Sequence, residues 1–394
     1  MDTDNRESQG QPPPAIARIE AHVLRWPVQV PVRTSFGVMH DRPAVLVRIE
    51  DTEGAFGWGE AWCNFPACGA EHRALLIETV VAPLVVGRRF ASPQAAFDEV
   101  SEQTAVLAIQ SGEFGPIAQA IAAVDIAMHD LAARRAGLPL WRHLMAARAP
   151  VDATATRTVA VYASGINPER PGDTVASLRD AGHTAFKLKV GFGAARDVAN
   201  LAAVRAVVGD DGRVMVDANQ AWDLESAIAM SRSLAGSAPA WLEEPLRADR
   251  PAREWQRLAQ VSAIPLAAGE NVIGRAAFDA LIASRAVAFV QPDLAKWGGV
   301  SGMREVSERI VAAGLRFCPH YLGAGIGLLA SAHVLASRGE TEGLLEVDAN
   351  ENPLRTRLCP PLASLRGGRI ELRGGQGLGV DPDLAELREM CRAG

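Results

Sequence analysis

The chain has 394 residues, is 48% hydrophobic and 22% charged, and carries a formal net charge of −6. This is ordinary globular composition, with material for a large core and for roughly two to three domains. No Lys/Arg-rich run is present, so nucleic acid and anionic membranes are poor partners, and no apolar stretch approaches the roughly 20 residues that span a bilayer.

The polar, largely acidic first ten residues lack the basic start and apolar centre of a signal peptide. Five cysteines, Cys63, Cys68, Cys318, Cys359 and Cys391, are odd in number and widely spread. That argues against a disulfide framework and for a reducing, cytoplasmic setting. Residues 1–14, ending in three prolines, read as a disordered tail. From about 16 to 60 the pattern favours strands: Ala44–Glu50 is β-rich, a turn follows at Asp51–Gly54, and Gly57–Glu60 continues the sheet. Arg33–Arg42 and Trp62–Ala70 read as flexible loops. From 71 to 146 the chain turns helical; Ile117–Arg135 carries apolar residues at helical spacing, and Gly137 with Pro139 ends it. Residues 15–150 are therefore expected to form an α+β domain.

From about 157 short apolar runs alternate with amphipathic helices. The runs are Thr158–Tyr162, Ala185–Val190, Arg213–Asp217, Ala240–Glu243, Pro265–Glu270, Val287–Asp293, Arg316–His320 and Gly343–Glu346. Between them, Arg196–Val208 places Val198, Leu201, Val204 and Val208 on one stripe before Gly209, and Leu224–Ala235 repeats the pattern. Eight strands alternating with helices predict a closed parallel barrel over residues 151–350. The segment 351–394 holds turns, a hairpin around Arg369–Arg373 and a last helix Asp383–Cys391, and is expected to pack back on the first domain.

Seven ionisable residues sit at the ends of these runs: Lys189, Asp217, Glu243, Glu270, Asp293, His320 and Glu346, at gaps of 28, 26, 27, 23, 27 and 26 residues. One such residue per strand–helix unit lands on one rim of a barrel, the rim that carries chemistry. In Lys187-Leu188-Lys189 both lysines face inward, and their repulsion favours a neutral amine on one, a usable base. Asp217, Glu243 and Glu270 on adjacent strands would repel without a cation. Their all-oxygen character points to Mg²⁺ rather than Zn²⁺. Alternation does not choose between Glu243 and Glu244. Asn219 shares the face of Asp217. Asp293 beside His320 would fix the imidazole's tautomer and raise its pKa. Glu346, if protonated, can bond a substrate carboxylate, and Lys296 can add a nearby cation. Together these groups describe abstraction of a proton α to a carboxylate.

At these motifs the chain resembles the mandelate racemase subgroup of the enolase superfamily: Lys187-Leu-Lys189, Val216-Asp217-Ala-Asn219, Leu242-Glu243-Glu244-Pro245, Gly269-Glu270-Asn271, Gln291-Pro292-Asp293, Pro319-His320 and Leu345-Glu346, within a match over roughly 15–390. The resemblance implies a modified TIM barrel, (β/α)7β, with an N-terminal α+β capping domain. It also implies Mg²⁺ on Asp217, Glu243 and Glu270, Lys189 as one base with Lys187 modulating it, His320–Asp293 as the other acid/base, and Glu346 as electrophilic partner. The muconate-lactonising and dipeptide-epimerase branches carry a lysine where this chain has Asp293, which counts against those activities. The two loops correspond to segments that close over substrate. They offer Arg33, Thr34, Ser35, His40, Asp41, Arg42 and Asn64; with Asn219, Lys296 and Tyr321 these suit a polyhydroxylated acid.

The leading expectation is a Mg²⁺-dependent acid-sugar dehydratase acting on a small carboxylate substrate, in a homo-oligomer. A racemase, an epimerase or a sugar-lactone cycloisomerase would use the same residues. A metal-dependent hydrolase on a similar barrel would need His-x-His on the first strand, and Thr158–Gly165 contains no histidine. A non-catalytic barrel scaffold should have lost part of the ladder, and this chain keeps all of it.

Overall fold

The computed structural model describes residues 13–33, 37–146, 156–210, 212–339 and 343–393. Most of the expected N-terminal tail, together with Thr34 and Ser35, lies outside them. Strands β1 (Ile16–Arg33), β2 (Val38–Asp51) and β3 (Phe56–Ala61) form an antiparallel meander. β1 and β2 pair from Ile16↔Asp51 out to Arg33↔Val38, with register shifts between Ile16 and Arg18 and between Pro27 and Val32. Residues 37–42 are therefore mostly strand, where a loop was expected. Val32 and Met39 are partners in the ladder and both are buried, so apolar pairing continues past the polar positions.

Helix α1 (Gly69–Leu76) runs through a π-helical turn (Ile77–Val81) into α2 (Ala82–Val85). Helix α3 (Pro93–Ser111) starts on Ser92, whose hydroxyl accepts from Ala95 N at 3.1 Å, and stops at Gly112 with φ 71°. Helices α4 (Phe114–Arg135) and α5 (Leu140–Ala146) follow. α4 crosses β3 so closely that a Cβ on Gly57 would strike Ala127 O, and one on Gly59 would strike Ala123 O.

The second layer alternates strand and helix: β4 (Arg157–Ile166), α6 (Pro171–Asp180), β5 (Ala185–Lys189), α7 (Ala194–Val208), β6 (Arg213–Asp217), α8 (Leu224–Ala235), β7 (Leu242–Glu243), α9 (Ala252–Val261), β8 (Leu266–Ala268), α10 (Arg275–Ser284), β9 (Phe289–Val290), α11 (Gly299–Ala312), β10 (Arg316–Phe317), α12 (Gly325–Ser337) and β11 (Leu345–Asp348). The eight strands are parallel, in the order β10-β9-β8-β7-β6-β5-β4-β11. Glu346 N donates to Pro319 O at 3.2 Å, which joins the two ends and closes a modified TIM barrel. α13 (Pro353–Leu358), β12 (Arg369–Leu372) and α14 (Leu384–Ala393) complete the chain.

The expected hairpin at Arg369–Arg373 is instead β12 pairing antiparallel with the start of β4, because alternate Ile370 and Leu372 bury there. The C-terminal segment is tied to the cap: Asp381 accepts from Trp58 Nε1 at 3.0 Å, and Asp130 of α4 accepts from Leu378 N at 2.6 Å. Among the described residues no helix is long and apolar enough to cross a membrane.

The barrel interior is layered. Tyr162, Ala185, Met215, Trp241, Ala267, Cys318 and Leu344 form an apolar cluster with Phe289 against it. Two residues further along each strand, on the same face, stand Ser164, Lys187, Asp217, Glu243, Gly269, His320, Glu346 and Gln291. The polar layer is thus set directly upon an apolar floor.

Adding one methyl at Gly59 should destabilise the fold by about 1–3 kcal/mol through the collision with α4. Gly236→Ala, at an exposed right-handed helix end with nothing within 4 Å, should stay within about 1 kcal/mol of wild type. Urea unfolding of the two variants checks the contrast.

Candidate active site

Lys187 is completely buried at the centre of the polar layer. Its Nζ lies 2.9 Å from Glu346 Oε1 and 3.6 Å from Asp217 Oδ2, and it also donates to Glu243. Lys189, one step nearer the mouth, reaches Asp217 Oδ2 and Asn219 Oδ1, both at 2.6 Å. Asn219 adopts φ 42°, and its N–H donates to Asp217 Oδ1 at 2.8 Å.

Across the ring, His320 Nδ1 donates to Asp293 Oδ2 at 2.7 Å. Asp293 Oδ1 is fixed by the N–H groups of Ala295 and Lys296 at 2.9 and 3.2 Å. That leaves His320 Nε2 facing Glu270, with Glu346 Oε2 at 3.6 Å. Lys296 Nζ donates to Asn271 Oδ1 at 3.1 Å, stands 3.8 Å from Glu270, and lies 5.2 Å from the ring centre of Trp62.

The ladder is less regular than its spacing suggests. Lys189, Asp217 and Glu243 do end strands, whereas Glu270, Asp293 and His320 lie just beyond Ala268, Val290 and Phe317. Glu346 is not last in its strand; β11 continues to Asp348, which takes Arg42 at 2.5 Å and Arg355 at 3.3 Å. Arg42 is thereby a cap-to-barrel anchor, Asp41 pairs with Arg25 at 3.0 Å, and Asn64 donates to Leu322 O at 2.7 Å. Arg33 ends β1 at the hairpin tip, and His40 is exposed on β2. Tyr321, expected at substrate, is buried beside Glu60. It directly follows His320, but its ring and hydroxyl lie against Gly323, Gly327 and Glu60.

The electrostatics bear on the two lysines and on Glu346. Burial alone would lower both lysines. Yet Glu243 and Glu346 hold Lys187 well above the usual amine range, and Asp217 holds Lys189 above it. Neither is poised neutral as the site stands, because carboxylates outweigh their mutual repulsion. Glu346 could donate to a substrate carboxylate only if protonated; against burial, Lys187 and His320 keep it below its ordinary value. Burial also opposes charge on His320, but Glu270, Glu346 and Asp293 overcome it and push the imidazole up to about 10. His320 and Lys296 in turn hold Glu270 well below the carboxylate range in spite of burial. Burial, with Asp217, Glu346 and Glu270, drives Glu243 up to about 7 despite Lys187.

Both glutamates of the pair occupy the site. Glu243 lies in the inner layer, accepting from Trp241 Nε1 at 3.0 Å and Gln291 Nε2 at 2.5 Å. Glu244, at φ 37°, turns to Asn271, whose Nδ2 lies 2.9 and 3.0 Å from its two oxygens. Burial and the neighbouring Glu270 drive Glu244 well above the carboxylate range. Gln291 and Asn271, which the sequence shows only as members of motifs, and Tyr162 and Trp241 had no role in the sequence reading. Counting two residues on from each apolar floor position would have found Gln291.

The donor set fits a hard divalent cation. Asp217 and Glu243 pair in register across β6 and β7, with Glu270 just past β8. Six carboxylates (Asp217, Glu243, Glu244, Glu270, Asp293, Glu346) stand against four cationic groups (Lys187, Lys189, Lys296, His320). The deficit of two positive charges equals the charge of one such ion. As they stand, lysines and His320 engage these carboxylates, and among the described residues no three His, Cys, Asp or Glu side chains are drawn tightly enough together to hold a metal.

Family models match both layers: the mandelate racemase / muconate lactonizing enzyme N-terminal domain over residues 18–145, and the enolase C-terminal domain-like model over 170–387. The chain is similar to D-galactarolactone cycloisomerase of Agrobacterium fabrum, 27% identical over 95% of this chain and 98% of that one. It is 35% identical to L-talarate/galactarate dehydratase of Salmonella typhimurium, over 68% of this chain and 64% of the relative. The crystal structure of a mandelate racemase/muconate lactonizing enzyme from Bordetella bronchiseptica RB50 superposes with TM-score 0.89 at 57% identity, covering 96% of this chain and 99% of that one.

The His320 contacts exist only in the folded state, and its folded pKa of about 10 exceeds the ordinary 6.5. Their stabilisation is therefore complete below pH 6.5 and is lost as pH rises toward 10. In chelator-treated protein, the unfolding free-energy gap between wild type and His320→Asn should shrink across that window. A gap constant with pH would refute the pairing.

Proposed function

The chain belongs to the mandelate racemase / muconate lactonizing enzyme family of the enolase superfamily and is an enzyme, a lyase or an isomerase; we propose that it dehydrates an acid sugar to a 2-keto-3-deoxy acid. The observation that supports this reading best is the pairing of two proton-transfer groups, Lys189 and His320, on opposite walls of one carboxylate-lined mouth.

Asp217, Glu243 and Glu270 would hold Mg²⁺, which when bound supplies positive charge opposite the substrate carboxylate. With Asp217 and Glu270 engaged by the ion, the carboxylates that hold protons on Lys189 and His320 would be drawn off, and one of the two takes the α-proton. His320, or the conjugate acid of Lys189, gives a proton to the departing 3-hydroxyl, so the elements of water leave and the enol tautomerises to the ketone. Asp293 holds the proton on Nδ1 and so directs Nε2 inward. Lys187 offsets charge on Glu243 and Glu346 beneath the reacting carbon. Asn219, Lys296 and the face of Trp62 give the mouth a polar wall suited to hydroxyl groups. The likeness to a galactarate dehydratase supports the reading. The full-length likeness to a lactone cycloisomerase favours, as second reading, ring opening or closure by the same residues.

A panel of mono- and diacid sugars screened for 2-keto-acid formation, with deuterium exchange at the α-carbon as second readout, tests both. Lys189→Ala and His320→Asn should each lower kcat by roughly a thousandfold or more while leaving the fold intact. Chelator should silence turnover and Mg²⁺ restore it. Wild-type rates in both variants would refute the assignment, as would full activity in chelator.

A further inference from the structure

Asp293 holds one side of His320; the capping domain holds the chain that follows it. Glu60, near the end of β3, reaches the start of α12. Its Oε1 accepts from Ala324 N at 2.6 Å and its Oε2 from Gly327 N at 3.0 Å. One carboxylate, 1% exposed, thus takes the otherwise unpaired N–H groups of that first turn. Tyr321 is wedged against it: a Cβ on Gly323 would lie 2.8 Å from Glu60 Oε1 and would also strike Tyr321 Oη, and Gly327 has no room for a side chain beside the tyrosine ring. Further along the same cap segment, Asn64 Nδ2 donates to Leu322 O at 2.7 Å, and Trp62 N donates to Ala295 O at 3.4 Å, on the turn that carries Asp293. Residues 60–64 therefore grip both the segment after His320 and the turn after Asp293.

We propose that Glu60 is a positioning residue contributed by the cap: through Tyr321 and the first turn of α12 it fixes where His320 Nε2 points. The inference rests on the reading above only in treating His320 as the acid/base. A glutamine cannot replace Glu60, because its amide group presents a donor to an N–H that needs an acceptor.

The test uses the full chain without substrate. The buried proton between His320 Nδ1 and Asp293 should resonate far downfield of the amides in proton NMR, and its loss in His320→Asn assigns it. Ser301→Ala serves as control; it cuts another cap–barrel link, to Asp125 at 2.6 Å, between α4 and α11. The control should keep the resonance, whereas Glu60→Gln should shift or broaden it. On any acid the panel shows to be turned over, kcat of Glu60→Gln should fall about 10- to 100-fold with KM within about threefold, and Glu60→Asp should recover part of the loss. A folded Glu60→Gln with an unmoved resonance overturns the proposal, whether or not any acid is turned over. If circular dichroism shows that Glu60→Gln does not fold, Tyr321→Phe and Asn64→Ala decide. An unmoved resonance in both folded variants overturns the proposal, and a displaced one supports it.

Discussion

Everything at the mouth of the barrel follows from one constraint: more carboxylates than cations are buried in a single layer above an apolar floor. Coulombic repulsion at low dielectric would expel such a cluster unless positive charge were threaded through it. Lys187 is threaded deepest, between Glu243 and Glu346, and Lys189 and His320 take the flanks. The uncompensated remainder falls on Glu243 and Glu244, whose carboxyls are pushed toward the neutral form. The divalent ion proposed for Asp217, Glu243 and Glu270 would supply the missing positive charge.

The fold places this charge cheaply because strands alternate. A residue that packs the floor and a residue that carries charge differ by two positions, so Trp241 and Glu243, or Cys318 and His320, come from one local pattern. That is why so much was legible. The near-constant spacing located β5 through β11, the stripe of α7 and the bounds of α8, and it brought Asp293 and His320 to within a hydrogen bond.

What was not legible depended on partners distant in sequence. Arg33–Arg42 looked like a loop because its polar residues dominate; Arg42 is buried only because Asp348 waits some three hundred residues later. The pairing of β12 with β4 required knowing that the barrel leaves the start of β4 open. The charge states of the two lysines and of Glu346 were open in the sequence for a related reason: two neighbouring lysines can be read from it, but the number of carboxylates around them cannot. Tyr321 follows His320 directly in sequence, yet its side chain packs beside Glu60 and the start of α12.

The barrel is hooped by regular ladders between every neighbouring pair of strands but one. Between β10 and β11 the described structure has no such ladder, and the seam is stitched by Glu346 N on Pro319 O. His320 and Glu346 stand on its two lips. Any opening of this seam would change the spacing between those two side chains, where the other strand pairs are held by ladders. The cap's hold on the chain just past His320 acts as a clamp on one lip of that seam.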